Sequence, residues 1–324
     1  MKILRPLSAI TAVLAFALVA LSPIVRITGS GLGCGDDWPL CNGRIIPPLD
    51  NLEVMIEWGH RLAAVLVSVL VVAVAALAWL GRRETGIGGR GGVLTPAILG
   101  VLLLVSQILL GAVTVWLELP TWVVVLHMSN ALALLAAVLV VTFRAFSLGV
   151  PTPDHPPSGR ARRTALAALG LGGAALLLGA LTANMDAGMA CGGFPLCSGS
   201  FWPTGGGGGG GGGRLAHVHW VHRLVAYALF FQLAVVVVVW RRRGEPAGVQ
   251  RAAWLALGVL VAHVVVAATM VIQLLPMPLR TAHAALGALV WTVLVYLVWA
   301  SASGARGAAP HTRDATGQPW VEPS

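Results

Sequence analysis

Leu, Val and Ala fill repeated stretches of about 20 residues, the length a helix needs to cross a hydrocarbon core roughly 30 Å thick. Eight such apolar blocks stand out between short polar clusters, at 7–27, 54–80, 93–115, 122–143, 164–184, 217–240, 252–274 and 281–301. They predict an all-α membrane protein with eight transmembrane helices in two sets of four. The first block follows Lys2 and Arg5 as a signal peptide would. Ser22-Pro23-Ile24-Val25-Arg26 offers no small-x-small cleavage site, however, so the block is read as a helix.

Composition narrows the class. Of 324 residues, 57% are hydrophobic and only 10% charged, where soluble domains carry about a quarter charged residues. A soluble globule, a disordered chain and a small disulfide scaffold are excluded. The net charge of +9 is spread thinly between apolar blocks, which points to membrane-facing loops and not to nucleic acid. With the N-terminus in the cytoplasm, the inner segments collect most of the arginines, including Arg82-Arg83, Arg160, Arg162-Arg163 and Arg241 to Arg243. The positive-inside bias favours that orientation. Both termini are then cytoplasmic, and the long loops 28–53 and 185–216 lie outside, as on a bacterial plasma membrane.

All four cysteines fall in the two outer loops, as Cys34/Cys41 and Cys191/Cys197. In an oxidising compartment, disulfide pairing within each loop is the economical reading; a metal site or redox-active thiols are the alternatives. The glycine run Gly205 to Gly213 lacks a Gly-Lys-Ser/Thr ending and a preceding strand, so it reads as a flexible insertion and not a phosphate loop. His155 and His311 read as solvated.

The two halves repeat one another. Trp38-Pro39-Leu40-Cys41-Asn42-Gly43 is echoed by Phe194-Pro195-Leu196-Cys197-Ser198-Gly199, and each precedes a helix carrying a His-Arg pair, His60-Arg61 or His222-Arg223. Pro120 stands as far before His127 as Pro276 does before His283, and the same register sets Gln107 opposite His263. A duplicated four-helix unit returns the chain to its starting side, so the copies are parallel repeats about an axis along the membrane normal.

Ionisable groups within spans are costly and usually face the bundle interior. His60, His127, His222 and His283 all lie near the outer ends of their helices, so each half can present two facing imidazoles suited to axial ligation of heme iron. Hydrogen-bonded packing is the bland reading of any one of them, and zinc or copper would ordinarily bring clustered Cys or carboxylate ligands. His263 reads as a polar packing residue, and His217 and His219 are less attractive ligands than His222, which alone matches the His-Arg register. Arg61 and Arg223 are placed to clamp heme propionates, with snorkelling to headgroups as the alternative. Trp38, Trp116, Trp122, Trp202 and Trp220 read as an aromatic belt.

Glu57 lies one turn before His60, where the second half has His219 before His222. A carboxylate in one half only suits a catalytic site paired with an electron-storing one; a plain ion pair to Arg61 is the alternative.

Thr28-Gly29-Ser30-Gly31-Leu32, Cys34, Trp38-Pro39-Leu40-Cys41, Glu57-Trp58-Gly59-His60-Arg61, and Gln107 to Val115, with the repeated histidines, resemble the heme A synthase family over about residues 7 to 301. The resemblance implies two pseudosymmetric four-helix bundles. Residues 1–149 would hold substrate heme O between His60 and His127, with Glu57 catalytic. Residues 150–163 are a cytoplasmic linker, residues 164–303 would hold heme b on His222 and His283, and residues 304–324 are a polar tail. Cys34 and Cys41, and Cys191 and Cys197, match cysteine pairs found in part of the family. The implied reaction oxidises the C8 methyl of heme O to a formyl group by successive hydroxylations, with oxygen from water, as a step in making heme A for terminal oxidases. Implied partners are heme O, the lipid bilayer, an electron acceptor of unidentified nature, heme O synthase and a further copy of the chain. A two-heme b-type cytochrome acting on quinone, or a heme carrier, are the competing readings.

Overall fold

A computed structural model describes residues 3–48, 50–89, 91–150, 156–203 and 212–302. Among them the chain is helical, with α1 at Leu4–Leu21, α2 at Pro23–Ile27, α3 at Leu52–Leu80, α4 at Leu94–Trp116 and α5 at Thr121–Phe146. The second half supplies α6 at Gly159–Asn184, α7 at Gly212–Arg242, α8 at Ala247–Ile272 and α9 at Met277–Ala302. Taking α1 and α2 together, eight helices are long and apolar enough to cross a membrane, and the protein is a multi-pass membrane protein. Lys2, Arg90, His155, most of the glycine run and the tail with His311 fall outside the described residues.

The expected spans are found, and most helices begin before the apolar block does. Helix α6 starts at Gly159 because Ser158 caps it, its side chain accepting from the Ala161 N–H, so Arg160, Arg162 and Arg163 form a polar first turn. Asn51 caps α3 in the same way through the Glu53 N–H. The first span is broken at Pro23, which brings no N–H to the helical ladder.

Helices α1, α3, α4 and α5 contact one another in a closed ring, as do α6, α7, α8 and α9. The two rings meet along α1 and α5 against α6 and α9. Polar contacts tie them, among them the Thr121 hydroxyl on α5 donating to the Asn184 carbonyl on α6 at 3.1 Å. The Trp291 indole N–H on α9 donates to the Leu132 carbonyl on α5 at 2.9 Å, and Arg26 on α2 reaches Asn184 Oδ1 at 3.1 Å and Asp186 at 2.8 Å. The core of the second ring is Leu- and Val-rich, around Leu229, Leu233, Trp240, Leu294 and Leu297. That of the first, around Val67, Leu104, Leu135 and Leu139, continues into Val295 of the second.

The turns joining α4 to α5 and α8 to α9 are alike. In each, two successive non-glycine residues adopt positive φ, Glu118-Leu119 and Leu274-Leu275, a costly conformation that persists where surrounding bonds hold it. The Leu119 N–H donates to Thr114 O at 2.9 Å and the Leu275 N–H to Met270 O at 2.8 Å. The leucines then press onto loop glycines: a Cβ at Gly31 would lie 2.7 Å from Leu119 Cδ1 and one at Gly188 2.8 Å from Leu275 Cδ1, so either methyl would have to turn aside. Each turn thus fixes the start of the last helix of its ring, and with it the depth of His127 or His283.

Candidate functional site

The loops at one end of the helices are closed by two disulfides, Cys34–Cys41 and Cys191–Cys197, the pairing within each loop that the sequence favoured over a metal site. Their sulfurs are buried, a setting in which thiol exchange is slow. Cys41 pairs with Arg44 and Cys197 with Ser200 in matching backbone bridges.

An arginine holds each loop. Arg61 donates through Nη1 to the carbonyls of Asp37 at 3.0 Å and Leu40 at 2.6 Å. Arg223 donates through Nη1 to Gly193 O at 2.9 Å and Leu196 O at 3.0 Å, and through Nη2 to Cys191 O at 2.6 Å. Both guanidinium groups therefore spend several of their five donors on the loops, leaving fewer for a propionate than the sequence suggested.

Glu57 is buried at 4% exposure. Its Oε2 accepts the Cys34 N–H at 2.8 Å and its Oε1 the Arg61 Nη2–H at 2.6 Å. The ion pair to Arg61 therefore exists, and with the backbone donor it compensates a charge that would otherwise be costly to bury. Each oxygen keeps a further lone pair. In the second half the equivalent place is taken by His219, whose Nδ1 lies 3.1 Å from Ala187 O and whose Nε2 accepts from Arg223 Nε at 3.2 Å. Both His219 nitrogens are thus engaged, leaving none for a metal.

The four repeated histidines lie within about the first three turns from the disulfide end of α3, α5, α7 and α9. His222 Nδ1 lies 2.9 Å from the Ala175 carbonyl on α6. This approach needs Gly179: a Cβ there would sit 3.0 Å from His222 Cε1, and Ala175 O is the carbonyl that the helical register assigns to the Gly179 N–H. His60 Nδ1 lies 3.4 Å from Ser22 Oγ, at the α1–α2 break. His283 Nδ1 lies 2.8 Å from His263 Nε2. His127 faces the Gln107 amide on α4, with Gln107 Nε2 at 3.0 Å from its Nε2, over Gly111.

Among the described residues, His60, His222 and His283 carry no hydrogen bond on Nε2. An imidazole oriented through Nδ1 with Nε2 free is the arrangement of a metal-ligating histidine with its supporting partner, so these side chains fit heme ligation. No group of three or more His, Cys, Asp or Glu able to hold a bare ion occurs among the described residues.

Sequence reasoning did not single out Ser22, Ser106, Asn130, Ala175 or Gly179. Asn130 carried a readable signal, being polar, within a span and one turn from His127. His263, expected to be a polar packing residue, lies against a candidate ligand, its Nε2 2.8 Å from His283 Nδ1. Trp220 departs from the aromatic-belt expectation: it is 1% exposed and packs with Cys191 and Cys197, because the second loop folds over it. Trp116, Trp122 and Trp202 are exposed as a belt requires.

A family model described as COX15-CtaA, cytochrome oxidase assembly protein, matches residues 5–295. A protein of Halalkalibacterium halodurans named heme A synthase is 34% identical over 224 residues, covering 68% of this chain and 70% of the relative. The heme A synthase of Geobacillus kaustophilus is 30% identical over 300 residues, covering 90% of this chain and 89% of the relative. That of Alkalihalophilus pseudofirmus is 30% identical over 238 residues, 73% of this chain and 76% of the relative.

Proposed function

Since the chain belongs to the COX15-CtaA family of cytochrome oxidase assembly proteins, we propose that it is a heme A synthase, a membrane oxidoreductase that converts the C8 methyl of heme O to a formyl group. The observation that carries this reading is the buried carboxylate of Glu57, one turn from His60, replaced by His219 beside His222.

In this reading residues 1–149 form the substrate bundle and residues 164–303 the heme b bundle, joined by linker 150–163 and followed by tail 304–324. His60 and His127 hold heme O, and His222 and His283 hold heme b. Heme b, when bound, supplies a one-electron acceptor close to the substrate bundle.

Oxidising a methyl to a formyl with water as oxygen source removes four electrons and four protons. Glu57, with lone pairs beyond those given to Cys34 and Arg61, takes protons released at the methyl or from the attacking water. Arg61 aims the carboxylate and fastens the disulfide loop beside the substrate. Arg223 does the same over the heme b site with no carboxylate beside it. The donors that Arg61 and Arg223 keep free serve the propionates. The four electrons removed require an acceptor, a role that a heme b held by His222 and His283 would serve on the way to an unidentified further acceptor.

The disulfide loops lie outside the plasma membrane and both termini in the cytoplasm, which the arginines of the opposite loops support. Heme O synthase, whose product stays in the membrane, and a second copy of the chain are the protein partners this reading allows.

The test is mass spectrometry of hemes extracted from a bacterium that makes heme O but no heme A, with and without this protein. Heme A or its hydroxylated intermediate is expected. Heme O and heme b alone, from folded, heme-loaded protein supplied with an electron acceptor, would overturn the assignment in favour of a cytochrome or a carrier.

A further inference from the structure

The first outer loop meets the start of α3 backbone to backbone at Gly33. A Cβ there would lie 2.6 Å from the carbonyl carbon and oxygen of Glu53 and 2.8 Å from the Val54 nitrogen. The main chain of a helix cannot turn aside as the end of a side chain can. Gly33 itself has φ −61° and ψ −29°, values open to any residue. Glycine is needed here for the close approach alone.

That approach delivers a donor to Glu57. The peptide unit joining Gly33 to Cys34 is held at both ends: its carbonyl, Gly33 O, accepts from Asn42 Nδ2 at 3.2 Å, and its N–H, on Cys34, donates to Glu57 Oε2 at 2.8 Å. Asn42 also donates its backbone N–H to Cys34 O at 3.1 Å. The plane of that peptide is thereby set with its N–H aimed at the carboxylate, while Arg61 takes the other oxygen.

The second loop is built for a different group. After its matching 3₁₀ turn, Ala187–Met189, Ala190 stands where Gly33 does, and Ser198 stands in place of Asn42. The Ser198 backbone N–H donates to Gly192 O at 2.7 Å, and no side chain meets the Cys191 N–H among the described residues. This loop offers the helix a carbonyl instead, Ala187 O, 3.1 Å from His219 Nδ1. A carboxylate needs a donor from the loop, and an imidazole N–H needs an acceptor. Each loop matches the side chain beneath it.

We propose that Gly33 and Asn42 are positioning residues for the Glu57 carboxylate: the missing Cβ lets the loop lie on α3, and the Asn42 amide sets the peptide whose N–H holds Oε2. With both oxygens held, the carboxylate keeps one orientation and presents its remaining lone pairs in one direction. The proposal rests on the heme A synthase reading, in which Glu57 is the base.

The test uses the full-length protein, in cells that make heme O but no heme A and purified in detergent. Gly33→Ala must lift the loop by most of an ångström, and is expected to lower heme A formation roughly tenfold to a hundredfold, the scale of a small misplacement of a catalytic group. Asn42→Ser, which copies Ser198 and brings no clash, should lower it about twofold to tenfold, the weight of one neutral hydrogen bond. Bound heme O and heme b, quantified by mass, should stay at the parent's level and report that each variant has folded; where Gly33→Ala loses its hemes, Asn42→Ser decides. The readout that a merely structural role would not move in this pattern is hydrogen–deuterium exchange at the Cys34 amide. Exchange should be slow in the parent and faster in Gly33→Ala, Asn42→Ser and Glu57→Ala, with the Cys191 amide unchanged. Asn42→Ser added to Glu57→Ala should speed it no further, whereas two independent effects on the loop would add. Parent exchange as fast as that of Glu57→Ala, or parental heme A formation in both loop variants, overturns the proposal. A parent that forms no heme A sinks the functional reading, while the exchange rates still decide whether the loop holds Glu57 in this way.

Discussion

Glu57 and Gly179 show how closely single residues are bound to the sites. In Glu57→Gln the side-chain oxygen can still accept the Cys34 N–H, but the charge is gone and Arg61 loses its ion partner. Heme A formation is expected to fall by about a hundredfold or more, the weight of a general base, with bound heme O and heme b retained, as extraction and mass analysis will report. Gly179→Ala puts a methyl 3.0 Å from His222 Cε1, against 3.4 Å from His127 Cε1 for Gly111→Ala. The first variant should lose most of its heme b on purification and the second less of its heme O, measured as heme per protein. The His-Arg pairs and Glu57 were legible because ionisable residues within apolar blocks are few and the repeat aligns them. Ser22, Gly179 and Ala175 were not, because which atom meets a ring depends on how far each helix is rotated about its axis, and no sequence spacing between different helices encodes that.

At the scale of elements, the eight spans could be read from apolar block length alone, while their ends could not. Capping at Ser158 and Asn51 sets those ends outside the apolar stretch, where hydropathy has no signal. The loops were legible as disulfide pairs but not as parts fastened from below. Arg223, 6% exposed, makes four hydrogen bonds to the second loop and His219. Arg223→Lys keeps the charge but not the planar fork. It is expected to cost about 2–4 kcal/mol, given that bonds to charged groups are worth ~1.5–3 kcal/mol each and the lysine recovers part. A lower melting temperature in detergent, and faster alkylation of Cys191 and Cys197 after mild reduction, check this. Trp220, buried beneath that loop, should then become quenchable by acrylamide.

Across the whole molecule, the matching order of helix contacts in the two rings agrees with the repeat seen in the loops and histidines. How the rings face each other was not legible, since the polar contacts between them are few and scattered. Arg26 with Asp186 is exposed and screened, so its contribution is small. Trp291 is the better fastener, and Trp291→Phe, which keeps the ring but drops the N–H donated to Leu132 O, is expected to cost about 1 kcal/mol, read as a shift in thermal unfolding. Orientation has its own check. After reduction, a membrane-impermeant maleimide added to intact cells should label Cys34, Cys41, Cys191 and Cys197, whereas a cysteine placed at Gly244 should react only after lysis.

The Ala175 carbonyl is shared between the α6 backbone and His222. A metal on Nε2 draws electron density through the imidazole and strengthens the N–H at Nδ1 as a donor. The acceptor's own stretching frequency must then fall. If His222 is the ligand proposed above, a single carbon-13 label at Ala175 would make the protein its own infrared gauge of that ligation, readable in the membrane.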